Sequence, residues 1–323
     1  MTYNPLVSAI IPTFNRRTML LEAIDSVLHQ TYSPIELIIV DDGSDDGTYE
    51  ACAGRNDLTY VKINRGKQQT ENSRLPKSFG ANGVSAARNT GIRHCADRAA
   101  PQHQALGRRS AERHARAEFI ALLDSDDLWR PAKIEKQIRY FEKNPEAMIC
   151  QTEEIWIRKG RRVNAKNIHK KYSGEIFNRC LPRCIVSPSA VMFKKALLEK
   201  VGMFDETFPV CEDYELWLRV ASKFPVALLP NPLTIKRGAH SGDAHSDQLS
   251  GQHSLDYYRI RALVKLLGQG QLSDTQKNAA ASELKKKRNI FLLGCRKRGN
   301  ERSYLEIQTL TAPFINCQVV TPA

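Results

Sequence analysis

Two aspartate clusters stand where apolar runs end. Asp41-Asp42-Gly43-Ser44 follows Leu37-Ile38-Ile39-Val40, and Asp124-Ser125-Asp126-Asp127 follows Phe119-Ile120-Ala121-Leu122-Leu123. A buried strand that ends in carboxylates sets them at the rim of a sheet. In open α/β sheets the ligand crevice lies outside the carboxyl ends of the strands. Carboxylates this close repel one another unless a cation sits among them. In an extended chain Asp124 and Asp126 fall on the same side, and hard oxygen ligands of this kind suit Mg²⁺ or Mn²⁺ carrying a phosphate. At Asp41 and Asp42 the chemical reading is a carboxylate that accepts hydrogen bonds from a nucleobase or ribose. A plain aspartate-rich turn or helix cap is the alternative for either cluster.

Two further segments carry usable groups. Ser85-Ala86-Ala87-Arg88-Asn89 stands at a helix start, where the helix N-terminus and Arg88 both favour phosphate; an exposed helical arginine is the alternative. Cys211-Glu212-Asp213-Tyr214 precedes a helix, so Asp213 either caps that helix or serves as a general base. Transfer of a glycosyl group to an alcohol needs a base for the hydroxyl proton, and a departing diphosphate needs its charge neutralised, which a metal supplies. One strand-end metal site and one separate carboxylate are the minimum set.

The elements that position these groups follow from periodicity. Leu6 to Ile11, ended by Pro12, predicts a buried strand, residues 17 to 30 a helix, and Glu36 to Val40 the next strand. This order predicts a right-handed parallel crossover. Leu58 to Ile63 predicts a third strand, 84 to 98 a helix, 118 to 123 a strand, and Pro131 the opening of a helix carrying Ile134, Ile138 and Phe141. Strands are expected at Ala147 to Gln151 and Ile185 to Phe193, with a short helix at 194 to 200. A helix over Glu212 to Phe224 carries Trp217, Val220, Ala221 and Phe224 on its core stripe. Residues 226 to 236 are extended. Gly251 to about Gly299 is helical with a break near Gly268 to Ser273, and the last twenty residues show no clear pattern. Residues 66 to 82 and 95 to 116 lack periodicity and read as insertions.

The chain has 323 residues, 41% of them apolar, and a formal charge of +13. It is long enough for one large domain or two small ones, and apolar enough for a real core. The charge suits an anionic partner such as a sugar nucleotide or an anionic membrane surface, although solubility alone explains it equally. The basic runs have little aromatic interleaving, so nucleic acid is not an expected partner. Eight dispersed cysteines with no C-x-x-C pair read as reduced thiols of a cytoplasmic protein. No apolar stretch reaches the roughly 18 residues that span a bilayer, and the N-terminus has no secretion signal. The expected location is cytoplasmic, with a peripheral position at the inner face of the membrane as a further option.

Together the segments resemble family 2 glycosyltransferases of the GT-A fold. The matching pieces are Val7 to Arg16, Leu28 to Tyr32, Ile39 to Ser44, Gly83 to Asn89, Leu123 to Trp129, Val201 to Glu206 and Glu212 to Trp217, in the family's order. The resemblance covers roughly residues 5 to 250. It implies an α/β GT-A domain over 1–250 with insertions 66–82 and 95–116, followed by a helical extension over 251–323. It implies that Pro12, Thr13 and Asn15 line a nucleotide pocket, that Asp42 with Asp41 contacts the base, and that Arg88 lies near the nucleotide. It further implies that Asp124 and Asp126 form a D-x-D site with Asp126 the foremost metal ligand and Asp127 adjacent, and that Asp213 is the base of an inverting transfer. A histidine after the Glu-Asp element is expected near the diphosphate or metal. His240 and His245 both fit, with His245 preferred. The implied co-substrate is a nucleotide-sugar, UDP-sugar first, with Mn²⁺ or Mg²⁺. The acceptor is a glycan or a lipid-linked hydroxyl in polysaccharide or cell-envelope synthesis. Two other readings remain: a degenerate nucleotide-sugar-binding relative, and a sugar nucleotidyltransferase. Pro12-Thr13-Phe14-Asn15-Arg16 lacks the glycine- and lysine-rich phosphate loop that the latter needs.

Overall fold

The computed structural model describes residues 3–63, 114–237 and 255–315. The chain begins with strand β1 (Val7–Thr13), helix α1 (Arg17–Leu28), β2 (Ile35–Asp41), a short α2 (Thr48–Cys52) and β3 (Thr59–Lys62). β4 (Phe119–Leu122), β5 (Leu128–Trp129), α3 (Lys133–Lys143), β6 (Ile149–Arg158) and β7 (Arg161–Val163) follow. Then come α4 (Phe177–Cys180), β8 (Val191–Lys194), α5 (Ala196–Val201), α6 (Glu212–Ala221) and β9 (Ala227–Arg237). Three helices complete the described chain: α7 (Leu255–Gly268), α8 (Asp274–Lys297) and α9 (Glu301–Ile315).

Among the described residues the strands form one sheet in the order β3-β2-β1-β4-β8-β6-β9-β5, with β7 hairpinned onto β6. β1 pairs parallel with β2 and β4, and β2 with β3. β8 is antiparallel to β4 and β6, and β9 is parallel to β6. This pairing brings the C-terminal ends of β1, β2, β4, β6 and β9, and the N-terminal end of β8, to one edge. Both aspartate clusters and the end of β9 therefore meet at a common rim.

Strand alternation divides the core into two layers. Val7, Ala9, Ile11, Leu37, Ile39, Phe119 and Ala121 face Leu20, Ile24 and Val27 of α1 and Ile134, Ile138 and Phe141 of α3. Ile10, Ile38, Val40, Ile120 and Leu122 face the opposite layer, which holds Trp217 of α6, Leu263 of α7, Leu284 of α8 and Ile307 of α9. The C-terminal helices thus share a core with the sheet. Ser273 and Gln276 cap α8 reciprocally, and Lys265 of α7 pairs with Asp205 at 2.5 Å and with Glu215 of α6 at 2.8 Å. No helix among the described residues is long and apolar enough to cross a membrane.

The structure redraws some expected elements. The run Ile185 to Phe193 is not one strand: Pro188–Ala190 make a 3-10 turn, and β8 starts only at Val191. Pro188 has no N–H for a ladder, so pairing begins after it. The strand expected at Ala147 to Gln151 runs on to Arg158 and turns back through Lys159 and Gly160, both at positive φ, as a two-residue hairpin requires. Helix α9 occupies part of the C-terminal stretch that showed no clear pattern, and it buries Ile307 and Thr311. The helix expected over 84–98, and the expected insertions apart from residues 114–116, lie outside the described residues, as does the boundary expected at residue 250.

Candidate active site

The loops after β1 and β2 are laced together. Asn15, at φ +49°, donates its N–H to Ser44 Oγ at 2.9 Å, and its side-chain oxygen accepts the Asp45 N–H at 3.0 Å. Asp41 is fully buried. Its Oδ1 accepts Ser44 N–H at 2.9 Å and Ser44 Oγ–H at 2.6 Å, and its Oδ2 accepts the Tyr60 hydroxyl. These bonds give Asp41 a scaffolding position under the loop. Asp42, 4% exposed, donates its N–H to the Thr13 carbonyl at 3.1 Å. Thr13 Oγ1 is buried without a hydrogen-bond partner among the described residues, and Pro12 is buried beside it.

The second cluster is clamped from the far side of the sheet. The Asp127 N–H closes a turn onto the Asp124 carbonyl at 2.9 Å. Ser189 Oγ donates to Asp127 Oδ2 at 2.6 Å and accepts the Asp124 N–H at 3.1 Å. From the end of β9, Lys236 pairs with Asp127 and reaches Asp124 at 3.5 Å. The Arg237 N–H donates to Asp127 Oδ1 at 3.1 Å, and its Nε to the Asp126 carbonyl at 2.6 Å. Arg16, just past β1, pairs with Asp126 at 2.7 Å. Burial pushes the Asp127 carboxyl up, Lys236 opposes the rise, and Asp126 and Asp124 add to it. Burial works against the Lys236 ammonium, but Asp127, Asp124 and Glu154 outweigh it and hold its pKa well above that of an ordinary lysine.

Asp124, Asp126 and Asp127 each offer an oxygen within 4.8 Å of the others. That all-oxygen donor set fits Mg²⁺ or Mn²⁺. Asp127 is already committed to Ser189, Lys236 and the Arg237 N–H. Asp126 carries Arg16 and Asp124 lies 3.5 Å from Lys236, but both are more open to the cavity than Asp127, whose side chain is 1% exposed, so of the three they are the better suited to a divalent ion.

All three line a cavity of about 550 Å³, and so do Arg16, Lys236 and Asp213. Asp213 sits in the first turn of α6, and the residue before that helix, Cys211, is at φ +62°. Its Oδ1 accepts the Tyr214 N–H at 2.6 Å, and its Oδ2 lies 3.3 Å from the Cys184 thiol, which also lies 3.2 Å from the Val186 carbonyl. Burial, and then Asp213 itself, drive the Cys184 pKa well above that of a free thiol. The sulfur therefore stays protonated, with one hydrogen to donate to either Asp213 Oδ2 or the Val186 carbonyl. Pro12, Thr13, Asn15, Asp41 and Asp42 do not line this cavity; they stand at the neighbouring strand ends, joined to it through Arg16. Arg88, His240 and His245 lie outside the described residues. Sequence reasoning gave no role to Arg16, Lys236, Ser189 or Cys184. The one signal for Lys236 was its place at the polar end of an extended run.

The profile of Glycosyl transferase family 2 matches residues 8–100 and 97–202, more than half of the chain. An uncharacterized glycosyltransferase of Rickettsia typhi is 30% identical over 69% of this chain and 62% of its own length. The chain thus spans less than two thirds of that relative. The Escherichia coli UDP-Glc:alpha-D-GlcNAc-diphosphoundecaprenol beta-1,3-glucosyltransferase WfgD is 30% identical over 67% of this chain and 69% of its own. Among solved structures, Staphylococcus aureus TarS 1-349 in complex with UDP-GlcNAc superposes with a TM-score of 0.64 at 16% identity, over 96% of this chain and 81% of that one. With a mixed sheet flanked by helices and this family match, the chain belongs to glycosyltransferase family 2 and has the GT-A fold.

Proposed function

We propose that the protein transfers a sugar from a nucleoside-diphosphate donor, UDP-sugar first, to a hydroxyl of a lipid-linked glycan, with inversion at the anomeric carbon. The observation that carries this reading is the meeting of a three-carboxylate cluster and the separate carboxylate of Asp213 in one cavity. WfgD, by its name, uses UDP-Glc and a diphosphoundecaprenol-linked acceptor, which supports the donor and acceptor classes.

Each residue then has a task. Asp42, Thr13 and Asn15, with Pro12 and the scaffolding Asp41, form the nucleotide end, and Arg88 is assigned beside it. Asp124 and Asp126 hold Mn²⁺ or Mg²⁺, with His245 or His240 as a further ligand. Bound there, the ion supplies positive charge to the departing diphosphate. Lys236 and Arg16 add fixed positive charge at the same end. Asp213 takes the proton of the acceptor hydroxyl as the new C–O bond forms. The Tyr214 N–H and the Cys184 thiol hold its two oxygens in place, which limits the reorganisation needed at the moment of reaction.

A lipid-linked acceptor places the work at a cytoplasmic membrane face. Exposed Ile290 and Leu293 share one face of α8 with Lys286 and Lys297, a pattern suited to an anionic surface. A second reading, a nucleotide-sugar binder without turnover, draws on Arg16 and Lys236, which already neutralise the carboxylates. Incubation with Mn²⁺ and a panel of UDP-, GDP- and dTDP-sugars separates the two. Slow donor hydrolysis is expected with a UDP-sugar. Binding without hydrolysis or transfer favours the second reading, and no binding across the panel refutes both.

A further inference from the structure

The cavity wall away from the aspartates is basic and stacked. Trp156, near the end of β6, lies 4.7 Å from the ring of His169. The Arg158 guanidinium lies 4.9 Å from the same indole. Arg183 lines this wall one residue before Cys184, whose thiol meets Asp213. The His169 pKa is lowered, first by burial and then by the nearby Arg183, with Glu154 opposing.

The other cations lining the cavity have carboxylate partners. Arg16 pairs with Asp126, Lys236 with Asp127, Lys171 with Glu154 at 3.3 Å, Arg237 with Glu22 and Arg259 with Asp256 at 3.2 Å. Among the described residues no carboxylate pairs with Arg158 or Arg183; the one side-chain hydrogen bond of Arg158 goes to the Ile157 carbonyl at 3.4 Å. Two arginines thus line the cavity without a direct carboxylate pair among the described residues, whereas Glu154 of the same wall is paired with Lys171. Stacking on an indole covers a guanidinium face and leaves its N–H fork free, which is how arginine presents itself to a phosphate.

We infer that Arg158 and Arg183 form an acceptor subsite that binds a phosphate or diphosphate group on the acceptor saccharide, with the Trp156–His169 stack ordering Arg158. This rests on the glycosyltransferase reading and deepens it. The acceptor's anionic group is held one residue from the thiol that orients Asp213, so its sugar hydroxyl lies toward the base. The subsite selects charged, phosphoryl-linked acceptors over neutral glycosides and over the many free sugars of similar shape.

Trp156 supplies the readout. Of the three tryptophans, Trp129 and Trp217 are 3% and 2% exposed, while Trp156 lies on the cavity wall. The full chain, with UDP and Mn²⁺, is titrated by intrinsic fluorescence with three probes: decyl N-acetylglucosaminyl diphosphate, uncharged decyl N-acetylglucosaminide and decyl glucuronide. The diphosphate probe is expected to bind at least tenfold more tightly than the neutral one. Arg158→Ala and Arg183→Ala are each expected to weaken it by roughly tenfold or more, the usual scale for a charge-assisted hydrogen bond, without changing the affinity of the neutral probe. Thermal stabilisation by UDP and Mn²⁺ reports in each variant that the protein is folded. Equal binding of charged and neutral probes, or an undiminished affinity in both arginine variants, overturns the inference. A glucuronide that binds as well as the diphosphate overturns the phosphoryl assignment in favour of an acidic saccharide. If UDP and Mn²⁺ fail to stabilise the wild type, the donor reading itself falls, and this inference with it. Stabilisation without charge discrimination removes this inference alone.

Discussion

Replacing Lys236 with methionine probes how the metal end of the cavity is held. Lys236 serves two carboxylates, Asp127 directly and Asp124 at 3.5 Å, and the side chains of Lys236 and Asp127 are only 20% and 1% exposed. At an effective dielectric constant near 20, a contact of 3.5 Å is worth about 5 kcal/mol of attraction before desolvation. Desolvation cancels much of that in the intact pair. Removing one partner leaves the other charge buried, and the usual cost is about 3–5 kcal/mol. Ser189 Oγ and the Arg237 N–H still bond to Asp127, so the lower half of that range applies. For a chain of 323 residues each kcal/mol is worth about 1.5 °C in Tm, so Lys236→Met should melt about 4–6 °C below the wild type. Arg16 still pairs with Asp126, but Mn²⁺ then replaces the cation lost beside Asp124, and it should raise the Tm of Lys236→Met by more than it raises that of the wild type. Thermal unfolding followed by circular dichroism, with and without Mn²⁺, measures both effects. An unchanged Tm, or an equal Mn²⁺ effect in the two proteins, refutes the reasoning.

Other consequences can be measured in the same protein. Lys133 is fully buried, bonds to Gln137 at 2.7 Å and lies 4.2 Å from the Trp129 ring, and burial lowers its pKa to about 7. The unfolded chain therefore holds this proton between about pH 7 and 10.5 while the folded chain releases it, so its contribution to stability rises with pH across that window. Denaturant titrations at pH 7 and pH 9 should show that gain in the wild type and a smaller one in Lys133→Met. Cys184→Ala removes the thiol donor from Asp213 and should lower kcat several-fold, on the scale of one hydrogen bond, without weakening UDP binding. Cys184→Ser, which keeps a donor, should retain more of the rate in steady-state assays. The wild type should float with anionic liposomes but not with neutral ones, and Ile290→Glu with Leu293→Glu should abolish flotation by removing the exposed apolar pair on α8.

Much of the fold was legible because the β1-α1-β2 and β4-α3 segments carry clean apolar periodicity and end in groups that seldom end a core strand. Asp124, Asp126 and Asp213 were visible for the same reason: each is a carboxylate where a strand or helix meets the rim. What holds them was hidden. Arg16 and Lys236 reach Asp126 and Asp127 across 110 and 109 residues, a pairing that only the sheet order creates. The basic wall was hidden too. Trp156 and Arg158 lie on a strand whose outer half is only partly buried, so alternation was weak there, and His169 and Arg183 come from irregular segments. The strand read over Ile185 to Phe193 stopped at Pro188, where local backbone chemistry overrode an apolar run.

The central claim is that Asp213 takes the acceptor proton in a cavity whose donor end is built separately from Asp124 and Asp126. The most direct test compares sugar transfer and UDP–Mn²⁺ stabilisation in the wild type and in Asp213→Asn. Asp213→Asn should lose transfer by roughly a hundredfold or more, the usual scale for a general base, while its stabilisation by UDP and Mn²⁺ matches the wild type. Transfer that persists in Asp213→Asn, with donor binding intact, would contradict that claim.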